Sequence, residues 1–300
     1  MNSTINSKNL NAEFLHWLEN HRGVQKVTQE NYSRSILRFL SRIKGDLRRI
    51  SAANVRRYIR NLGKDHQFSS VKTHVNAIRM FLKFLVVSGQ IDPSMLNAIP
   101  QFRQPTPENI PKYFNPELLE SVSSIFDGDG AINQRNKAIL MLLTRLGLRA
   151  SEISNLKLQD IDWEFGRIRI AGKSRKDARL PLPQDAGNAI LQYLKESRPN
   201  TDSSSIFLKA AQPHTSLTRS AIKHVAKKAI NKAEIYSPSK GSHVFRHTAA
   251  TSWLRKGMSL QAIGTVLGHS SVETTAIYAK VDLALLSEVV QPWPIGGELC

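Results

Sequence analysis

Six prolines, Pro93, Pro100, Pro105, Pro107, Pro111 and Pro116, fall within one short stretch of the chain. Proline offers no backbone donor and steers the residue before it away from the helical region, so no long regular helix crosses this stretch. At 300 residues the chain also exceeds the usual size of one domain. Break and length together predict two bodies: one over residues 1–104, a linker over 105–116, and a second over 117–300.

The hydrophobic pattern differs on the two sides. Residues 10–88 read as helical throughout. Tyr32, Ile36, Phe39, Leu40 and Ile43 recur at helical spacing, as do Val71, Val75, Ile78, Leu82 and Leu85. Two shorter amphipathic segments, 10–19 and 53–62, complete a four-helix module. The second body mixes types. Residues 131–146 are apolar enough for a buried helix, with Gly147 as its left-handed stop. Residues 161–182 read as strands, because Arg167-Ile168-Arg169-Ile170 alternates with period two and a polar tip follows. Helices resume over 184–195, after Pro183, and over 216–232. The expected fold class is mainly α with a small β-sheet.

Charge narrows the partners. The chain holds 42 Lys and Arg against 24 Asp and Glu, a net +18, which favours a polyanion such as nucleic acid or an anionic surface. The first 104 residues hold 17 basic and 6 acidic residues, so the smaller body is the more basic. Arg34, Arg38 and Arg42 form one basic stripe, and Lys72, Asn76, Arg79 and Lys83 another, each opposite an apolar stripe. Charge runs are usually solvated helix faces, but the near-absence of acids on these two favours phosphate contact. Arg219, Lys223 and Lys227 share a third face. No apolar run approaches the roughly 20 residues of a spanning helix, and the first residues lack the features of a signal peptide. Cys300 is the single cysteine, which excludes an intrachain disulfide or cysteine metal cluster and fits a reducing compartment.

The reactive side chains gather late. Ser242 is expected to cap a helix that runs to Lys256 and stops at Gly257, with His243 and Arg246 three apart on one face. Ser259 opens a short helix ending at Gly268. Ser270 and Glu273 form a capping-box pattern for a further helix that carries Tyr278. In one straight helix His269 and Tyr278 would point in roughly opposite directions; the break at Gly268 and Ser270 permits both to reach one site. Upstream stand Arg149, within Leu146-Gly147-Leu148-Arg149-Ala150-Ser151-Glu152, and Lys173, within Gly172-Lys173-Ser174.

Each of these residues has an ordinary alternative. Tyr278 can be a half-buried core residue, His269 a helix cap, Arg149 an ion-pair partner of Glu152, and Lys173 a hairpin-tip lysine. A zinc site is the other chemical option, since His243 and His247 are four apart and His269 could join them. Arg246 lies between them on nearly the same face and would repel a dication, and no Asp or Glu occurs between Glu234 and Glu273. Neither a metal nor a cofactor is expected, and His247 is read as packed or supporting.

Together the motifs resemble the tyrosine recombinase (phage integrase) family, in its two-domain Xer/integrase-like form. The Leu-Gly-His-Ser-Ser run and the Arg-His-Thr after Phe245 carry much of the likeness. The resemblance implies an amino-terminal four-helix SAM-like core-binding domain and an α+β catalytic domain that close on DNA as a C-shaped clamp. It implies Arg149 and Arg246 as the paired arginines, Lys173 as the hairpin lysine, His243 and His269 as the two histidines, and Tyr278 as nucleophile. Glu152 would support the first arginine. Lys173 is followed by Ser174 where many relatives have glycine, which makes Lys176 a minor competitor; Arg175 and Lys176 join the expected DNA contacts.

These residue types suit metal-free phosphodiester transfer. A phenol ionises near pH 10, so Tyr278 needs help to attack phosphorus. Arg149 and Arg246 would grip the non-bridging oxygens, with a hydrogen bond from His269. His243 would accept or orient the phenolic proton, and Lys173 would protonate the departing 5′ oxygen. By resemblance the product is a 3′-phosphotyrosyl bond, and strand exchange passes through a Holliday junction. The implied partner is double-stranded DNA with inverted-repeat core sites. Four copies would assemble on two duplexes from a free monomer or weak oligomer, with DNA-bending proteins as possible accessories, in the cytoplasm at the nucleoid. The apolar segment 282–290 would be a tail helix docked in a neighbouring copy or on its own domain. The alternatives are an inactive sequence-specific DNA-binding protein of the same ancestry and a monomeric DNA relaxer.

Overall fold

The computed structural model describes residues 7–24, 26–44, 46–99, 112–172, 175–269, 274–275 and 277–278. The chain divides into two compact units, Met1–Thr106 and Pro107–Cys300. Most of the expected linker, the tail segment 282–290, and Lys173, Ser270 and Glu273 lie outside the described residues.

In the first unit four helices surround one apolar core: α1 (Ser7–Arg22), α2 (Lys26–Arg42), α3 (Ala52–Asp65) and α4 (Phe68–Val87). Each contributes residues three or four apart: Leu10, Phe14 and Leu18; Ile36, Phe39 and Leu40; Val55, Ile59 and Leu62; Val71, Val75, Ile78 and Leu82, all buried. Burial of each such side chain contributes about 1.5–3 kcal/mol before the entropy of ordering it. Phe14 meets Phe81 edge-on, with ring centroids 5.3 Å apart. Ser51 caps α3 by accepting from the Asn54 backbone N–H. After α4 the described residues of this unit form a 3-10 segment, Pro93–Ala98, with Pro93 in its first turn.

The second unit is built around α6 (Ala131–Arg145), which follows a short α5 (Leu119–Ser123). Residues 138–143 of α6 are all buried, as befits a helix apolar on every side. It packs on α8 (Gln184–Gln192), α9 (Arg219–Lys232) and α10 (Ser242–Arg255). A three-stranded antiparallel sheet, β1 (Ile161–Asp162), β2 (Arg167–Gly172) and β3 (Arg175–Pro181), has the order β1-β2-β3. Ile168 and Ile170 face the core, while Arg169 reaches Asp160 at 2.9 Å. The β2–β3 register shifts between Ile170 and Gly172, at the tip that leads to Lys173. No helix among the described residues is long and apolar enough to cross a membrane.

Three boundaries differ from the sequence reading. Gly241, not Ser242, is the cap of α10, because Ser242 is buried as its first residue. Ser216 bridges to Leu208 instead of starting a helix, so α9 begins at Arg219 under a Thr218 cap. The helix from Gln184 ends at Gln192 and passes into a π turn over Tyr193–Ser197. The short helices α5 and α7 (Ala150–Ser154) were not anticipated.

Candidate active site

Two chain reversals set the arginines. At the end of α6, Gly147 adopts φ +57° and turns the chain into α7. Glycine is required there on two counts. The left-handed conformation disfavours a side chain, and a Cβ would stand 3.1 Å from Leu267 Cδ2. Arg149 then occupies the N-cap of α7. Its backbone N–H donates to Glu152 Oε2 at 2.7 Å and its Nη1 to Glu152 Oε1 at 2.8 Å. Glu152 is buried, so one carboxylate holds both ends of Arg149.

The second reversal closes α11 (Leu260–Leu267), where Gly268 adopts φ +60°. Ser259 caps this helix through the Ala262 N–H, as expected from sequence. The carbonyl of Leu267 accepts from Arg149 Nη1 at 3.4 Å and also from Arg246 Nη2. Arg246 Nη1 donates to the Gly147 carbonyl at 2.9 Å. Arg246 sits in the first half of α10 and is only 4% exposed, so backbone oxygens fix its fork geometry. The two guanidiniums therefore converge on one carbonyl, although their residues stand 97 positions apart in the chain.

Past Gly268 the chain brings His269 and Tyr278 together. Their rings stack with centroids 6.3 Å apart and planes 7° from parallel. His269 Nδ1 lies 2.8 Å from Thr275 Oγ1. Thr275 in turn presses on α11 at Gly264, where a Cβ would come within 2.9 Å of its hydroxyl oxygen. Tyr278 is 1% exposed. Its hydroxyl is 3.0 Å from His247 Nδ1, one helical turn from the histidine that sequence reading paired with it. His243 lies in the first turn of α10 and is exposed.

The electrostatics follow from this packing. Burial pushes the Tyr278 phenol up to about 12, against the opposing pull of Arg246 and Arg149. Burial, then His243 and Arg246, push His247 down to about 4, so its imidazole is neutral near pH 7. Desolvation by the surrounding protein, followed by Arg246, Lys223, Arg219 and Arg149, lowers the pKa of His243.

The other expected contacts distribute as follows. Arg34, Arg38 and Arg42 are exposed along α2. Arg34 donates to Asn31 Oδ1 at 2.7 Å, and Arg38 Nη1 is 2.8 Å from His66 Nε2. On α4, Lys72 is exposed, while Asn76, Arg79 and Lys83 are half-buried; Arg79 donates to Asn76 at 3.1 Å. A 540 Å³ cleft against α2 and α3 adds Arg49, Arg57 and Lys64 to Arg38 and Arg42, a juxtaposition that no single helix pattern reveals. Arg219, Lys223 and Lys227 are exposed on α9. Arg175 and Lys176 begin β3, but their side chains, like all of Lys173, lie outside the described residues. Sequence reading missed Thr275 and the carbonyls of Gly147 and Leu267, for which residue type carries no signal.

The model of the phage integrase family matches residues 115–284, and that of the phage integrase N-terminal SAM-like domain matches residues 12–89. A chain of Sinorhizobium fredii (strain NBRC 101917 / NGR234) that carries an integrase/recombinase name is 37% identical over 282 residues, spanning 92% of this chain and 69% of that one. Tyrosine recombinase XerC of Anoxybacillus flavithermus is 28% identical over 281 residues, 89% and 91% of the two chains. Among solved structures, XerH site-specific recombinase bound to palindromic difH substrate shares the fold with a TM-score of 0.74 at 21% identity, covering 96% and 90% of the respective chains.

Proposed function

This chain belongs to the phage integrase family and is a site-specific tyrosine recombinase; we propose that Tyr278 is its nucleophile and duplex DNA its substrate. The observation that carries the assignment is the convergence of Arg149 and Arg246 on the Leu267 carbonyl, in a site that also holds Tyr278 stacked on His269. Two forked cations anchored by buried backbone suit a phosphate whose charge grows in the transition state.

Tyr278 Oη attacks the scissile phosphorus, a 3′-phosphotyrosyl bond forms, and the 5′ oxygen leaves as a hydroxyl. Arg149 and Arg246 neutralise the non-bridging oxygens, His269 adds a hydrogen bond, and Lys173 protonates the leaving oxygen. The new ester keeps the phosphodiester energy, so a 5′-hydroxyl from a second duplex can displace Tyr278 and exchange strands through a Holliday junction. The basic residues of α2, α4 and α9, with Arg175 and Lys176, contact phosphates. Four copies act on two duplexes with inverted-repeat sites, the segment 282–290 bridging neighbours.

The test is covalent capture. A nicked duplex carrying the site, taken from DNA flanking the gene, is incubated with wild type and with Tyr278→Phe and resolved on a denaturing gel. A protein–DNA band lost in the variant is the expected result. Specific binding with no covalent band would favour an inactive DNA-binding protein, and a band that survives Tyr278→Phe would remove Tyr278 from its role.

A further inference from the structure

We propose that His247, rather than His243, holds the phenolic hydroxyl of Tyr278 and takes its proton as the tyrosine oxygen bonds to phosphorus. The inference rests on Tyr278 being the nucleophile.

Geometry carries it. The Tyr278 hydroxyl is 3.0 Å from His247 Nδ1, and the ring centroids are 5.7 Å apart at 52°. That is hydrogen-bond distance with the imidazole edge turned to the phenol, the arrangement a proton acceptor needs. His269 lies parallel to the Tyr278 ring, and its Nδ1 is 2.8 Å from Thr275 Oγ1. Tyr278 is 1% exposed, so bulk water is a poor acceptor for its proton. His243 is one turn away on α10, exposed, and facing Arg246, Lys223, Arg219 and Arg149.

The protonation states agree with the direction of transfer. The phenol is protonated and the imidazole neutral near pH 7; the proposal requires the tautomer with its hydrogen on Nε2, so that Nδ1 accepts from the Tyr278 hydroxyl. Transfer before attack is uphill, since the imidazole is the weaker base by a wide margin. It becomes favourable only as the Oη–P bond forms and the phenolic oxygen loses its basicity. In that step Oη–P forms, P–O5′ breaks, the phenolic proton passes to His247 Nδ1, and O5′ receives a proton from the general acid. No electrons change hands beyond these pairs. In the reverse step His247 returns the proton to the tyrosine oxygen when a 5′-hydroxyl displaces it.

The experiment compares single-turnover cleavage of the nicked duplex by wild type, His247→Phe and His243→Phe, with DNA affinity measured in parallel. Each protein is tested on an ordinary substrate and on one whose leaving 5′ oxygen is replaced by sulfur, which departs without a general acid. His247→Phe should bind DNA as wild type does and cleave about 10²–10³-fold more slowly, in the usual range for a lost acid–base group. The defect should persist on the sulfur substrate, because the lost group serves the nucleophile. A His247→Phe rate within about threefold of wild type, or a defect removed by sulfur, would overturn the proposal. Two amide variants keep the test decisive if His247→Phe fails to fold. Asparagine sets its amide near the Nδ1 position and glutamine near Nε2, so His247→Asn should out-cleave His247→Gln; the opposite order would overturn the assignment to Nδ1. Tyr278→Phe separates the two readings: a covalent band in that variant sinks the nucleophile itself, whereas its loss alongside a fast His247→Phe sinks this inference alone.

Discussion

Replacing Glu152 by glutamine tests how the first arginine is held. Glutamine matches glutamate in size and fits the same space. Glu152 Oε2 accepts from the Arg149 backbone at 2.7 Å and Oε1 from its guanidinium at 2.8 Å, and the side chain is 5% exposed. An amide presents one oxygen and one N–H₂ group, so one of the two Arg149 donors must then face a donor. The loss is one hydrogen bond to a charged group in a buried setting, about 1.5–3 kcal/mol. A further contribution of about 0.3–1 kcal/mol goes with the carboxylate in the first turn of α7. The expected destabilisation is roughly 2–4 kcal/mol, or a Tm lower by about 5–15 °C for a unit of this size. Arg149 keeps its charge but loses its tether, so cleavage should fall by about 10²-fold, as when an oriented transition-state donor is lost. Differential scanning calorimetry and covalent capture read the two effects. A Glu152→Gln protein that melts within about 1 °C of wild type and cleaves at the same rate would refute the view that this carboxylate positions Arg149.

Three further outcomes are expected. Gly147→Ala places a side chain at φ +57° and 3.1 Å from Leu267 Cδ2; the conformation alone costs about 1–2 kcal/mol. Because the Gly147 and Leu267 carbonyls both aim Arg246, cleavage should fall with the urea midpoint. Gly264→Ala meets the Thr275 hydroxyl at 2.9 Å; the helix-propensity gain of up to about 1 kcal/mol offsets part of the clash, so cleavage should suffer more than stability, as paired melting and capture assays would reveal. Acidification should destabilise the protein. The folded-state pKa of His247 is about 4, below the ordinary histidine value of about 6.5. The unfolded chain therefore binds the extra proton first, and stability is complete above about pH 6.5 and lost as pH falls toward 4. Within that window His247 contributes a slope of about 1.4 kcal/mol per pH unit, and His243 adds in the same direction. Urea midpoints between pH 7.5 and 4.5 should fall for wild type and flatten in His247→Phe.

Much of the architecture is local and was therefore legible in the residues. Apolar positions three and four apart specify α1 to α4, because a helix can bury only one stripe of its surface. Period-two alternation specifies β2, and glycines at 147 and 268 mark left-handed turns that other residues resist. The spacing of His243 and Arg246 on one helix is likewise a matter of helical geometry. Helix starts were less legible. Ser216 is a good helix-opening residue by type, yet it pairs with Leu208, and that competition is decided by a segment outside the helix.

The site's internal assignments were decided only by tertiary structure. Nothing in residue type says that the carbonyls of Gly147 and Leu267 aim Arg246, since every residue carries a carbonyl and only the packing of α10 against the ends of α6 and α11 selects these two. The same holds for the phenol. His243 and His247 lie one turn apart on α10, so sequence spacing places both near Tyr278 and cannot rank them. The choice depends on where Tyr278 docks against α10, beside Thr275, which packs on Gly264 and closes on His269. Sequence by itself determined which groups were present and on which elements; the contacts among α10, α11 and Tyr278 decided which histidine meets its hydroxyl.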